Sequence, residues 1–198
     1  MKKISSVLIT LLLLLSMAAA ETKDNNDKET KAWPQNRIGL SASTFTGYGL
    51  TYYRHFGDKI VGKVCLFAFG GTQADVDNSK DLQSILGTEI QYNLHKTKYT
   101  RLHIFGAFSF WYNENQYEYR NEKNTYTQLS IDRTYVTGVG FGFEFLAWGI
   151  ISFNIETGLI GRFGINSDSD NSSVYPYSKT TYPKSYGFGI GGGITYAF

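Results

Sequence analysis

Residues 135–145 (YVTGVGFGFEF) decide the fold of this chain. Large side chains stand at the odd positions, and glycine fills most of the even positions between them. Successive side chains of a β-strand point to opposite faces, whereas a helix repeats every ~3.6 residues. The stretch therefore predicts a strand with one bulky apolar face and one face of very small side chains.

The same two-residue repeat continues along most of the chain from about residue 33 onward. It is clear in residues 86–95, 151–159 and 186–198, and weaker in 37–45, 48–56, 59–70 and 99–112. With 135–145 these segments make eight candidate strands, each near the ~10 residues that a tilted membrane-spanning strand needs.

Composition is consistent with one folded β domain. The chain has 198 residues, of which 16% are aromatic and only 18% are charged, so it is neither a disordered segment nor a highly charged one. Lys and Arg number 19 against 17 Asp and Glu, which gives no reason to expect nucleic acid as a partner. The one cysteine, Cys65, allows no intramolecular disulfide.

The amino-terminal residues have the pattern of an export signal. Lys2 and Lys3 precede the apolar run 7–15, and small residues at 18–20 form a cleavage site. We therefore predict a signal peptide over 1–20, a flexible periplasmic tail over 21–35 and a barrel over 36–198.

The face that carries the large side chains distinguishes two kinds of barrel. A narrow barrel interior has no room for the large side chains of eight strands, but small and polar groups fill it well. The apolar face must then point outward into lipid, where only a closed barrel leaves no strand edge unpaired. We predict an all-β, eight-stranded antiparallel transmembrane β-barrel, with ten strands left open if the polar stretches 72–83, 113–133 and 165–184 hide another hairpin.

The connections alternate in length, as in bacterial outer-membrane barrels. Short turns are predicted near 57–58, 96–98 and 147–149, and the three polar stretches are predicted to be long outward-facing loops. Partial alternation within 113–133 suggests that the strands continue beyond the membrane as a hairpin whose exposed edge recruits a partner strand.

Aromatic residues cluster where the two lipid headgroup layers would lie, which predicts two girdles. The group near the short turns is Tyr52, Phe56, Tyr92, Phe145, Trp148, Tyr196 and Phe198, and the opposite group is Phe110, Tyr112, Tyr135, Phe163 and Tyr186.

The final residues 191–198 (GGGITYAF) place Ile194, Tyr196 and Phe198 on one face of the last strand. This ending resembles the carboxy-terminal signal of outer-membrane barrels. With the eight strands and the signal peptide, the chain resembles the OmpA/OmpX-type bacterial outer-membrane β-barrel family, and is closer to the short OmpX-like members, which lack a peptidoglycan-binding domain. The resemblance implies a Gram-negative outer-membrane location, with outer-membrane lipid and the barrel-assembly machinery as partners.

The predicted inward face carries a polar network that pairs its own charges, because an unpaired buried charge is costly. Across the turn at residue 97 we expect Asn93 opposite Arg101 and Gln91 opposite His103. The predicted members of the network are Lys63, Glu89, Gln91, Asn93, Arg101, His103, Glu144, Asn154, Glu156 and Arg162.

No catalytic, cofactor-binding or metal site is predicted. The three histidines map near the short-turn ends of their strands, away from the outer rim where a lipid A-modifying enzyme would need a general base. The residues favour a non-enzymatic protein with a structural or adhesion-like interaction role. Its loops would bind an extracellular protein. A small pore or ligand-passing barrel and a lipid A-modifying enzyme remain alternatives, because fold alone does not choose among them.

Overall fold

Nine β-strands account for most of the residues that the computed structural model describes, which are 33–73, 78–121, 124–171 and 177–198. The predicted signal peptide and most of the predicted tail lie outside these ranges. The strands are β1 Asn36–Ser43, β2 Gly47–Phe56, β3 Ile60–Gln73, β4 Asn78–Lys96, β5 Thr100–Asn121, β6 Asn124–Ala147, β7 Ile151–Asp170, β8 Tyr177–Thr181 and β9 Lys184–Ala197.

The strands form one antiparallel sheet that closes on itself. From β1 to β7 each strand pairs with the next along the chain, and β9 pairs with both β7 and β1. Eight strands therefore complete the ring, and the fold is a closed β-barrel. The ninth strand, β8, pairs with the far end of β7, beyond the residues that pair with β9.

The prediction of eight strands differs from the nine observed because β8 lies within the stretch 165–184, which is predicted to be a loop. Tyr182 and Pro183 separate β8 from β9, and proline has no N–H to contribute to a strand ladder. The chain is nevertheless held against β7 there, because the Gly164 amide donates to the Pro183 carbonyl at 2.8 Å.

The two ends of the barrel differ. We call the end with the connections 57–59, 97–99 and 148–150 the turn end, and the opposite end the loop end. The predicted short turns are all present at the turn end, where Gly57 and Gly149 adopt positive φ values of 71° and 77°. At the loop end, β1 and β2 are joined by residues 44–46.

The prediction of long loops at the loop end is wrong for the described residues. β5 and β6 have 22 and 24 residues and pair continuously from Thr100 with Phe145 to Asn121 with Asn124. Strand pairing likewise continues through Gln73 in β3 and Asp170 in β7. These segments carry polar residues on both faces, so their strand character is weak in the hydrophobic pattern, although the hairpin expected within 113–133 is confirmed.

The two faces of the ring have the predicted chemistry. Outward-facing side chains are large and exposed, whereas the inward-facing positions of the same strands are buried. Examples of the exposed apolar side chains are Leu40, Leu50, Ile90, Val139, Phe141, Ile155, Leu159, Phe188 and Ile190. Among the described residues, no helix is long and apolar enough to cross a membrane.

The described residues begin at 33, before the predicted barrel boundary at residue 36. Trp33 is only 5% exposed, and its indole Nε1 donates to the Thr97 carbonyl at 2.7 Å. Trp33, which falls within the predicted tail of 21–35, therefore packs against the turn end of the barrel.

Candidate functional site: the charge network inside the barrel

The interior of the barrel near the turn end contains all of the fully buried Lys, Arg, Asp and Glu side chains of the described residues. They are Arg37, Lys63, Arg101, Glu89, Glu144 and Glu156. Three cations face three carboxylates, so the group is neutral when all six are charged. Desolvating a charge is costly, and a buried group of this kind persists when each charge has a partner and further hydrogen bonds.

Glu144 of β6 joins two arginines. Its carboxylate forms ion pairs with Arg37 of β1 and with Arg101 of β5, whose Nε donates at 3.0 Å. Arg37 also donates to Ser152 Oγ at 3.0 Å, and its guanidinium carbon lies 4.7 Å from the centre of the Tyr53 ring. Strands on opposite sides of the ring are thereby linked across the lumen.

Lys63 of β3 joins the other two carboxylates. Its Nζ lies 3.1 Å from Glu89 and 2.7 Å from Glu156. Gln91 donates to the second oxygen of Glu89 at 2.6 Å, and Asn154 donates to Glu156 at 2.9 Å. Both carboxylates therefore have a cation and an amide as partners.

Arg101 connects this amide shell to the arginine pair. Its guanidinium donates to Gln91 Oε1 at 2.6 Å and to Asn93 Oδ1 at 2.9 Å. The predicted backbone register is wrong, because Asn93 pairs with His103 and Gln91 pairs with Phe105. A β-bulge between Asn93 and His95 shifts β4, yet the long Arg101 side chain still reaches both amides.

His103 differs from its neighbours, since neither ring nitrogen has a hydrogen-bond partner in the described part of the chain. Its ring occupies the space over Gly142, where a Cβ atom would collide with it. Gly142 pairs with Glu156 on its other side, so the absence of a side chain at 142 brings His103 toward the carboxylates.

One nitrogen of His103 and one oxygen each of Glu89 and Glu156 lie within 4.8 Å of one another, a spacing that a metal ion could bridge. The Lys63 ammonium already contacts both carboxylates. A divalent ion would have to displace it and would leave excess positive charge in a buried site, so the arrangement favours ion pairing over metal binding.

Nine of the ten residues predicted for the network are buried and lie inside the barrel. Eight of them are joined by the contacts above, and His103 packs beside them. Arg162 is separate: it lies on the inner face of β7, half-buried, farther toward the loop end, opposite Val136.

Sequence reasoning missed two important members of the site, Arg37 and Tyr53. Arg37 stands one residue from the predicted tail in a segment with weak alternation. Tyr53 has an aromatic ring at an inward position, yet the Asn154 amide donates to its hydroxyl at 3.2 Å. The parity of β2 would have found Tyr53, because it shares a face with Thr51 and His55.

Trp33 covers the turn end of the network. Its ring lies 5.7 Å from the guanidinium carbon of Arg37 and 5.8 Å from that of Arg101. The His55 ring is 6.2 Å away between centroids. The indole thus screens both arginines from water at this end.

An apolar cluster fills the barrel above the network, whereas small and polar groups are predicted for the lumen. Phe45, in the short connection between β1 and β2, is fully buried and packs edge-on against Phe105 at 4.8 Å. Val136 and Ile160 complete the buried cluster. Glycines at 138 and 189 make room for the Phe45 ring, since a Cβ at either would collide with it.

The predicted assembly signal lies on the outer face at the end of β9. Ile194, Tyr196 and Phe198 are 47%, 54% and 61% exposed. This agrees with the predicted common face, and their role in assembly stays a prediction.

Comparison with known proteins adds little to this geometry. No family model matches the chain, and the search of curated proteins found no match. A solved structure, the crystal structure of Acinetobacter baumannii CarO, matches at a TM-score of 0.35 and 8% identity, covering 86% of this chain and 100% of that one. A match at this TM-score does not show the family of this chain, so the resemblance to the OmpA/OmpX-type family stays a prediction.

Proposed function

We propose that this chain is an integral outer-membrane β-barrel protein with a closed interior, and that its role is structural or adhesive. The exposed apolar exterior carries this proposal. Soluble monomers rarely expose contiguous apolar patches larger than a few hundred Å², whereas Leu40, Ile90, Ile155, Phe188 and Ile190 are each at least 63% exposed. Lipid is the solvent in which such a surface is stable.

The closed ring supports the same placement. Hydrocarbon offers no hydrogen bonds, so a sheet crosses a bilayer only when every strand is paired on both sides. β1 pairs with β9 from Arg37 to Ser43, which removes the edge that an open sheet would leave. Barrels of this kind belong to bacterial outer membranes.

The filled lumen supports a role other than conduction. Trp33 covers the turn end, the paired charges fill the space behind it, and the Phe45 cluster lies above them. An ion would have to break a buried ion pair and then pass an apolar layer. We therefore favour the structural role over the pore.

The histidines support a role other than catalysis. The ring nitrogens of His55 and His103 have no hydrogen-bond partner among the described residues, and both side chains are buried. A general base must itself lie within hydrogen-bond reach of the group that it activates. His95 lies at the turn end, on the side opposite the outer leaflet.

The loop end supports an interaction role. β5 has 22 residues, so it is about 75 Å long and, at a tilt of about 40°, rises about 55 Å. The apolar band of an outer-membrane barrel is only about 25 Å tall. About half of the β5–β6 hairpin therefore stands beyond the membrane.

The protruding part of the sheet ends in two open edges. Pairing between β2 and β3 stops at Leu50 with Leu66, which leaves residues 67–73 of β3 unpaired on that side. β8 pairs with β7 on one side and with no described strand on the other. An extended segment of a partner protein adds to edges of this kind through main-chain hydrogen bonds.

Membrane placement is tested by fractionating cells that produce the full chain. We expect the protein in the outer-membrane fraction, and we expect purified material to need detergent and to migrate differently on gels before and after heating. A monomer that remains dispersed in buffer without detergent would contradict the proposal.

The interaction role is tested by shortening the β5–β6 hairpin. Deleting residues 117–126 removes the protruding tip and leaves the pairs nearer the membrane, such as Phe110 with Tyr135. We expect cells with the shortened protein to lose adhesion to host-cell monolayers while surface levels of the barrel stay equal. Unchanged adhesion would argue against this role.

A further inference from the structure

The barrel wall is low at one place, above the β1–β2 hairpin. β1 has 8 residues, so it is about 26 Å long and rises about 20 Å at a tilt of about 40°. This is less than the about 25 Å of the apolar band. The wall on either side is higher, because β3 and β9 extend beyond the hairpin. We call the resulting opening the notch.

Side chains on both faces of the strands beside the notch are exposed. All described side chains from 177 to 188 are exposed, whether they point inward or outward. Inward-facing Phe69 of β3 is 64% exposed. A Cβ added at Gly71 or at Gly187, both on the inward face, would meet nothing within 4 Å. Of the residues that the structure describes, none therefore fills the space inside the wall next to these two glycines at the notch.

The floor of this space is apolar. The partly buried side chains of Trp111 and Ala107 form it, and they pack over the buried cluster of Phe45, Phe105 and Ile160. Tyr48 covers part of it, with its ring 5.9 Å from Trp111. An apolar chain that entered through the notch would meet hydrocarbon and aromatic surface.

One cation stands at the side of this space. Arg162 lies on the inner face of β7, between Val136 of β6 and Ser185 of β9. Among the described residues none gives it an ion pair or a hydrogen bond, whereas Arg37 and Arg101 deeper in the barrel each have a carboxylate. A guanidinium in this position is suited to bind a planar carboxylate with two parallel hydrogen bonds.

We propose that the notch admits a long-chain fatty acid from the outer leaflet, with its carboxylate on Arg162 and its chain along the floor formed by Trp111 and Ala107. The interior of an eight-stranded ring holds one small ligand at most, so a single chain fits and a two-chain phospholipid does not. The inference goes beyond the proposed structural role, but it relies on the proposed membrane placement for the source of the ligand.

The test uses the purified full chain in detergent, so that it does not depend on cellular location. The chain has three tryptophans, and the double variant Trp33→Phe, Trp148→Phe leaves Trp111 as the one reporter. We expect brominated stearic acid to quench Trp111 fluorescence along a saturating curve. A protein that keeps only Trp148, at the exposed turn end, should show only the unsaturated quenching caused by bromine in the micelle.

Arg162→Gln in the Trp111 background tests the carboxylate contact. Because a hydrogen bond to a charged group contributes about 1.5–3 kcal/mol, the midpoint should rise about 10-fold to 100-fold. Arg133→Gln is the matched control, since Arg133 is an exposed arginine on the outer face of β6 and its loss should leave the midpoint unchanged. Heat-modifiable gel mobility verifies that each variant is folded.

The methyl ester of the brominated acid should bind the parent protein as weakly as the free acid binds Arg162→Gln. Equal midpoints for acid and ester, or a midpoint unaffected by Arg162→Gln, would overturn the proposal. Stronger competition by a lysophospholipid phosphate than by stearate would also overturn it, because the ligand would then be a phosphate lipid. Failure of membrane placement would appear in cell fractionation and not in this titration.

Discussion

Glu144 is the residue whose loss should most disturb the barrel interior. It is 1% exposed and forms ion pairs with both Arg37 and Arg101. The variant Glu144→Gln keeps the size of the side chain and removes its charge. Three buried cations then face two carboxylates, and neither arginine retains a charged partner within hydrogen-bond distance among the described residues.

The expected magnitude follows from the burial of both arginines. Removing one partner of a buried ion pair typically costs about 3–5 kcal/mol, because the remaining charge is left desolvated. Arg37 keeps its bond to Ser152, and Arg101 keeps Gln91 and Asn93. We therefore expect Glu144→Gln to lower the free energy of unfolding by about 3 kcal/mol, the lower end of this range.

The assay is urea unfolding of the full chain refolded into lipid vesicles, followed by tryptophan fluorescence and heat-modifiable mobility. Asp58→Asn is the control: Asp58 is 95% exposed and pairs with Lys96 at 3.3 Å. Solvent screens such a pair, so no measurable change is expected. The double variant Arg101→Gln, Glu144→Gln restores charge balance and should be less destabilised than the sum of the two single variants. A loss below about 1 kcal/mol for Glu144→Gln, or additive single losses, would refute the reasoning.

Three further changes probe the same interior. Alanine at Glu89 or at Glu156 leaves Lys63 with one carboxylate, and the melting temperature should fall; unchanged melting in both would count against the network. Trp33→Ala removes a nearly buried indole and should destabilise the barrel by about 3 kcal/mol in urea unfolding, with Trp33→Phe losing less. Gly142→Ala places a methyl group against the His103 ring and should cost about 1–3 kcal/mol. Adding His103→Ser should recover part of that loss; no recovery would show that the ring is not the obstacle.

The sequence predicts the fold well because lipid and lumen impose opposite chemistry on alternate residues. In residues 135–145 every aromatic side chain points outward, so the repeat is visible without the structure. Beyond the membrane this requirement disappears. Residues 113–121 and 124–133 alternate only in part, which is enough to suggest a hairpin, but only the observed pairing shows that it continues to Asn121 and Asn124.

The candidate site is predicted less completely, for identifiable reasons. The inward position of Lys63 and Glu156 follows from strand parity alone. Arg37 and Trp33 lie at the boundary of a polar tail, where no repeat marks the start of the fold. Phe45 lies in a turn, and a two-residue repeat cannot say that a turn folds inward to fill the lumen.

The link between Arg37 and Glu144 constrains how the protein reaches the bilayer. Arg37 is on the first strand and its carboxylate partner is on the sixth, so the two meet only when the cylinder is complete. A sheet that entered hydrocarbon one hairpin at a time would carry a bare guanidinium into a medium that cannot solvate it. Insertion and closure should therefore be one event, and fluorescence from Trp111 and Trp148 should change at a single common rate during refolding into vesicles. Two well-separated rates would mean that strands cross first and seal afterwards. The ion pair between Arg37 and Glu144 would in that case form after insertion, and it would not be the reason that partial barrels stay out of the membrane.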